Sequence, residues 1–161
     1  MHKANIRLTV QMKKEMNDEY FMRLALQEAR KAAEEGEVPV GAVIICNGKV
    51  IAKGYNQVEK LNDATAHAEM IALTAASGYL GSKFLEACTL YVTIEPCLMC
   101  AGALRWTRLG RLVFGASEPK SGFSLLGKDV LHPDTNIEQG VLKEECAALI
   151  KDFFKSKRQW Y

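Results

Sequence analysis

The sequence predicts an α/β fold in three α-β-α layers, with helices packed on both faces of one central mixed sheet of about five strands. Three observations predict it. Helical and extended stretches alternate in the order αββαβαβ(β)α, Asn47-Gly48 joins the first two strands as an antiparallel hairpin, and helical segments separate the later strands. Each later strand-helix-strand step then predicts a right-handed crossover that makes parallel neighbours.

Residues 1–16 are polar and basic, with weak apolar periodicity, and read as an N-terminal extension, disordered or supplied by an early start codon. Residues 17–161 read as a single domain. Asn17 is a suitable N-cap, Asp18 and Glu19 fill a first turn, and Met22, Leu26, Ala29 and Ala33 recur at helical spacing until Gly36. The stretches Val40–Cys46 and Lys49–Tyr55 flank the Asn-Gly turn, and the first is apolar enough to be central. A second helix starts from Thr65 as cap and runs to Ser77-Gly78, with His67 and Glu69 in its first turn. Thr89–Ile94 is a strand by its β-branched and aromatic content, and it delivers the chain to a third helix from Pro96 to about Thr107. A short strand at Arg111–Gly115 leads into a long Gly-, Ser- and Pro-containing loop over 116–136. Ile137–Val141 is a brief fifth strand. The last helix, about Lys143–Lys157, puts Cys146, Leu149, Ile150, Phe153 and Phe154 on one side.

Size and charge narrow the function. With 161 residues, 48% hydrophobic and 25% charged, the chain is large enough for one buried core. Lys and Arg number 21 against 19 Asp and Glu, so a nucleic-acid partner must be met by a local basic patch and not by a global field. Five cysteines without a disulfide-like framework point to a reducing, cytoplasmic setting. No apolar run is long enough to span a membrane, and no signal-peptide pattern is present.

The chemistry concentrates in two short strings. In Pro96-Cys97-Leu98-Met99-Cys100 the two sulfurs share one face of a helical first turn, where the dipole favours thiolates. Alone, this C-x-x-C reads equally as a redox pair, half of a structural zinc site or chance. His67, 30 residues upstream, supplies a third ligand, and three protein ligands leave the open position of catalytic zinc. Glu69 is then free to move protons for a water that zinc activates. The joint pattern His67-Ala68-Glu69 with Pro96-Cys97-x-x-Cys100 is the signature of zinc nucleobase deaminases.

From Tyr20 to Arg158 the chain resembles the bacterial tRNA adenosine deaminases, within the cytidine deaminase-like fold. The strings that carry the resemblance are Glu37-Val38-Pro39-Val40-Gly41-Ala42, Thr65 to Glu69, Leu90 to Ala103, Phe114-Gly115-Ala116 and Glu144 to Ala148 leading into Asp152-Phe153-Phe154. The resemblance implies conversion of the wobble adenosine of an anticodon to inosine, zinc bound once per subunit by His67, Cys97 and Cys100, and Glu69 as proton shuttle. It also implies that Asn56 hydrogen-bonds the flipped base, and that Val38, Pro39, Val40 and Ala68 belong to the substrate pocket. Glu118, Lys120, Phe153, Phe154 and Arg158 would meet the anticodon stem-loop, and the protein would act as a homodimer. Two departures concern RNA recognition: Glu118 stands where many members have Asp or Asn, and Leu131 to Thr135 replaces a frequent Asn-His pair.

Bland readings accompany these. Asn56 also suits a turn, Cys46, Cys88 and Cys146 read as small buried hydrophobes, and His132 reads as a surface residue. Of Phe153 and Phe154, one is expected to pack and the other to reach a base. The terminal cluster of Lys151, Lys155, Lys157 and Arg158, with Trp160 beside it, reads as a solvated face or an RNA contact. Rival functions are a deaminase of free guanine, cytosine or deoxycytidylate, and a noncatalytic zinc module.

Overall fold

A computed structural model describes residues 2–158 and contains a five-stranded sheet between two helical layers. The chain runs α1 (His2–Glu34), β1 (Gly41–Cys46), β2 (Lys49–Tyr55), α2 (Val58–Leu61), α3 (Ala68–Leu80), β3 (Cys88–Ile94), α4 (Leu98–Trp106), β4 (Arg111–Ala116), β5 (Asn136–Gln139) and α5 (Lys143–Arg158). Two short 3-10 turns, Phe123–Leu126 and Lys128–Val130, lie between β4 and β5. Among the described residues, no helix is long and apolar enough to cross a membrane.

The hairpin forms as its turn chemistry requires. Asn47 and Gly48 both have positive φ, at 50° and 75°, and this left-handed pair matches the twist of the strands it joins. Strand order is β2-β1-β3-β4-β5, antiparallel across β2, β1 and β3 and parallel across β3, β4 and β5. The crossover through α3 therefore does not make β2 and β3 neighbours, because β1 lies between them. Burial explains the difference. The first five residues of β1 are buried, whereas Lys49, Val50 and Lys53 of β2 are exposed, so the charged strand takes the edge and the apolar strand is enclosed.

Period-two alternation sorts the core. Ala42, Ile44, Leu90, Val92, Leu112 and Phe114 face α3 and α4, while Val43, Ile45, Tyr91 and Val113 face α1 and α5. One polar group ties the second layer down. Asp18 of α1 accepts two Arg111 N–H bonds at 2.8 Å and the Tyr91 hydroxyl at 2.7 Å.

Several boundaries differ from expectation for local reasons. The helix expected from Asn17 begins at His2, so Asn17 lies within it and is not its cap, and Asp18 bonds to the sheet instead of serving a first turn. Thr65 does not cap α3, because its N–H and hydroxyl both donate to Asp63 Oδ1, at 2.8 and 2.7 Å, in the preceding turn. His67 takes the cap position instead. Likewise α4 begins at Leu98 with Cys97 as N-cap, two residues after Pro96. The unforeseen α2 is too short to show periodicity, and its N-terminal Glu59 and Lys60 N–H groups donate to the buried Glu37 carboxylate at 3.2 and 2.8 Å.

Candidate active site

The site is built where α3 and α4 begin. His67 and Cys97 are the N-cap residues of the two helices, both with extended backbone, and neither makes a side-chain capping bond. Their side chains are left to meet each other. Cys100, one turn into α4, is fully buried behind them. His67 Nδ1 lies 3.7 Å from Cys97 Sγ and 3.6 Å from Cys100 Sγ, and all three donor atoms fall within 4.8 Å of one another. Zn–S bonds of about 2.3 Å and a Zn–N bond of about 2.0 Å at tetrahedral angles set sulfur and nitrogen about 3.5 Å apart. The donor set fits zinc on its own spacing.

The electrostatics of the cluster suit an acid-base group beside a cation. Burial pushes the Glu69 carboxyl above its ordinary range, and its Oε2 accepts from Cys100 Sγ at 3.5 Å. The hydrogen bond from Cys100 draws the Cys97 thiol down to about 4, helped by His67, while Cys100 itself is pushed up by that bond and by burial. His67 is raised by its hydrogen bond to Cys97. A divalent cation reverses this order by deprotonating coordinating thiols and selecting neutral imidazole. With His67 outside the helix and Glu69 in its first turn, ligand and acid face one point despite their two-residue spacing.

A cavity of about 850 Å³ opens over these groups. Val38, Val40, Asn56, Glu118, Phe153 and Phe154 line it together with His67, Glu69 and Cys97. Asn56 is 8% exposed, and its backbone N–H donates to Val40 O at 3.1 Å. Among the described residues its carboxamide meets no hydrogen-bonding partner. Phe153 and Phe154 meet edge to face with centroids 5.4 Å apart, and both border the cavity, so neither is sunk in the core as one was expected to be. Lys157 Nζ lies 5.4 Å from the centre of the Phe153 ring. Lys120 and Arg158 border an adjoining hollow of about 800 Å³ that shares Glu118, Phe154 and Lys157 with the first. Trp160 lies outside the described residues.

Two expected pocket residues are not on the wall. The Val40 N–H donates to Val38 O at 2.8 Å across Pro39, a tight turn that leaves Pro39 buried while its two neighbours reach the cavity. Ala68, the first residue of α3, is fully buried in the core.

Two acids carry structural roles that the sequence reading missed. Glu37 holds α2 beside the cavity, as described above. Glu95, 4% exposed, accepts from Glu118 N at 2.9 Å and Ser124 N at 3.1 Å, which fixes the loop that brings Glu118 and Ser121 to the cavity. Gly122 of that loop packs so closely on the Glu95 carboxylate that a Cβ would collide with it. The available signal was an acid set in an apolar or proline context, Glu37-Val38-Pro39 and Ile94-Glu95-Pro96, where a mere surface carboxylate is out of place.

Residues 15–116 match the family model for the cytidine and deoxycytidylate deaminase zinc-binding region, and fold and site together define a zinc-dependent deaminase of that class. A tRNA-specific adenosine deaminase of Aquifex aeolicus is 45% identical over 148 residues, covering 89% of this chain and 97% of that protein. A solved structure from a study of A-to-I editing by tRNA:A34 deaminases at the wobble position of transfer RNA aligns with TM-score 0.76 and 41% identity, over 81% of this chain and 98% of that one. The chain belongs to the tRNA-specific adenosine deaminase family. A guanine deaminase from Nitrosomonas europaea shares the fold at TM-score 0.72 and 27% identity, over 84% of this chain and 83% of that one.

Proposed function

We propose that this protein hydrolyses the wobble adenosine of tRNA anticodons to inosine, consuming water and releasing ammonia, with His67, Cys97 and Cys100 holding zinc and Glu69 moving the protons. The observation that carries the reading is a buried carboxyl beside three donors at tetrahedral-ligand spacing, on the wall of a cavity large enough for a base. Zinc held by His67, Cys97 and Cys100 would lower the pKa of a bound water toward about 7. Glu69 would take the first proton of the attacking water and pass it to ring nitrogen 1 as oxygen adds to carbon 6, then take the second proton from the added hydroxyl and give it to the amino group, which leaves as ammonia while the C=O bond of inosine forms. Its position against Cys100 and its raised pKa support that shuttle, because a base that must give its proton back works best when it holds one readily.

The partnerless Asn56 carboxamide offers both a donor and an acceptor to an extruded adenine edge, with Val38 and Val40 as apolar walls. Phe153 and Phe154 stack flanking bases, and Lys120, Lys157 and Arg158 meet phosphates. Glu118 shapes the loop between the two hollows, its Oε1 accepting from Lys120 N at 2.9 Å. Residues 17–161 act as one deaminase domain in a cytoplasmic homodimer on the anticodon stem-loop.

A free-base deaminase is the competing reading, since a related fold serves guanine. The aromatic and basic rim favours RNA, because a free base brings neither phosphates nor neighbours to stack. The test measures ammonia release by the zinc-loaded protein on an anticodon stem-loop with adenosine at the wobble position, and on free adenosine, guanine, cytosine and deoxycytidylate. Turnover confined to the stem-loop is expected; turnover on a free base or nucleotide with the RNA inert would overturn the substrate assignment.

A further inference from the structure

Cys46 and Cys88 stand at the end of the sheet remote from the zinc site, about 20 Å along β3 from Ile94 at the strand rise of about 3.3 Å per residue. They are direct partners in the antiparallel pairing of β1 with β3. The Cys88 N–H donates to Leu85 O at 3.1 Å and not across the ladder, so this is a pair of the non-hydrogen-bonded kind. Such partners have Cα atoms about 4.5 Å apart with side chains closest together, inside the roughly 4.4–6.8 Å window for a disulfide. Both side chains point to the same face and meet the core layer beneath α3 and α4. Both thiols are free, Cys46 half-buried beside the Asn47-Gly48 turn and Cys88 2% exposed. Burial and the adjacent Cys46 thiol push the Cys88 thiol up to about 12.

We infer that Cys46 and Cys88 form an oxidisable dithiol that closes to a cross-strand disulfide when a small-molecule disulfide such as oxidised glutathione reaches Cys46. The accessible Cys46 sulfur, as thiolate, attacks one sulfur of glutathione disulfide, forming a mixed disulfide and expelling one glutathione thiolate. Cys88 then loses its proton and attacks the Cys46 sulfur, the protein disulfide forms, and the second glutathione leaves as thiolate. Two protein thiols are oxidised, one glutathione disulfide is reduced to two glutathione molecules, and the two thiol protons end on them. Cys46 attacks because solvent reaches it; Cys88 resolves because it is buried and directly opposite Cys46 in the ladder. The pair is separate from Cys97 and Cys100, whose sulfurs are committed to the metal.

The test incubates the zinc-loaded full-length protein with oxidised glutathione and reads intact mass and non-reduced peptides. The expected product has lost two hydrogen atoms, carries no glutathione, and yields one peptide pair joined through Cys46 and Cys88 that dithiothreitol separates. Cys88→Ala should stop at a glutathione adduct on Cys46, and Cys46→Ser, altering only the half-buried position, should acquire neither adduct nor bridge. A wild-type protein that retains the adduct on Cys46, bridges Cys97 to Cys100 instead, or keeps its mass unchanged would overturn the inference.

Discussion

His67 and Cys97 occupy positions where Ser, Thr, Asp or Asn ordinarily cap a helix, and neither caps. Each helix forgoes a bond worth about 0.5–2 kcal/mol so that two donors can meet a cation instead. A second residue-scale feature is the Tyr91 phenol, held well above its ordinary range by burial and by the bond it donates to Asp18. An acid whose folded pKa exceeds its unfolded value contributes stability below the unfolded value, about 10 for tyrosine, and loses it as pH rises through the folded one. Urea midpoints should therefore fall as pH passes 10, and Tyr91→Phe should flatten that fall while lowering stability near neutrality by about 1 kcal/mol for the lost hydrogen bond. The zinc ligands and Glu69 were legible in the sequence because they fall in two short strings of metal-ligating residue types at fixed spacing, His67-Ala68-Glu69 and Cys97-Leu98-Met99-Cys100. Glu95 and Asp18 were not, since their roles depend on partners 23 and 93 residues away along the chain.

Elements with strong local signals fall close to where the sequence places them: the bounds of the hairpin strands, β3 and α5 deviate by at most one residue. Strand order is a different kind of fact. It is decided by which strand tolerates an edge, and that comparison between β1 and β2 only becomes sharp once the whole sheet is assembled. The loop after β4 shows how one residue can hold an element. Glu95→Ala removes the acceptor for Glu118 N and Ser124 N, a loss of about 1–3 kcal/mol. Because that loop lines the cavity and supplies none of the three metal donors, the variant should raise KM for RNA more than it lowers kcat. Steady-state kinetics with metal analysis checks this; an unchanged KM would detach the loop from substrate binding.

At the scale of the molecule, the metal donors tie together the starts of two helices that share one core, and the described residues contain no disulfide to share that task. Zinc at about a thousand times its dissociation constant stabilises the fold by about 4 kcal/mol, and at roughly 2–4 °C per kcal/mol for a domain of this size its removal should lower Tm by about 10 °C. Scanning calorimetry before and after chelation, with zinc added back, measures this; a Tm indifferent to zinc would mean the donors do not bind it in the folded state. With a net charge of only +2, the RNA binding proposed above rests on the local rim of Lys120, Lys157 and Arg158, so composition alone carries no sign of a nucleic-acid partner. In the proposed reaction, metal, acid and RNA meet at one cavity. Its most direct test is inosine formation at single-nucleotide resolution in an adenosine-wobble stem-loop, comparing wild type and Glu69→Gln at equal zinc occupancy. Inosine is expected at the wobble position alone, with a loss of about 10²–10⁴-fold in rate for the variant; no inosine from the zinc-loaded wild type, or a variant as fast as wild type, would overturn the assignment.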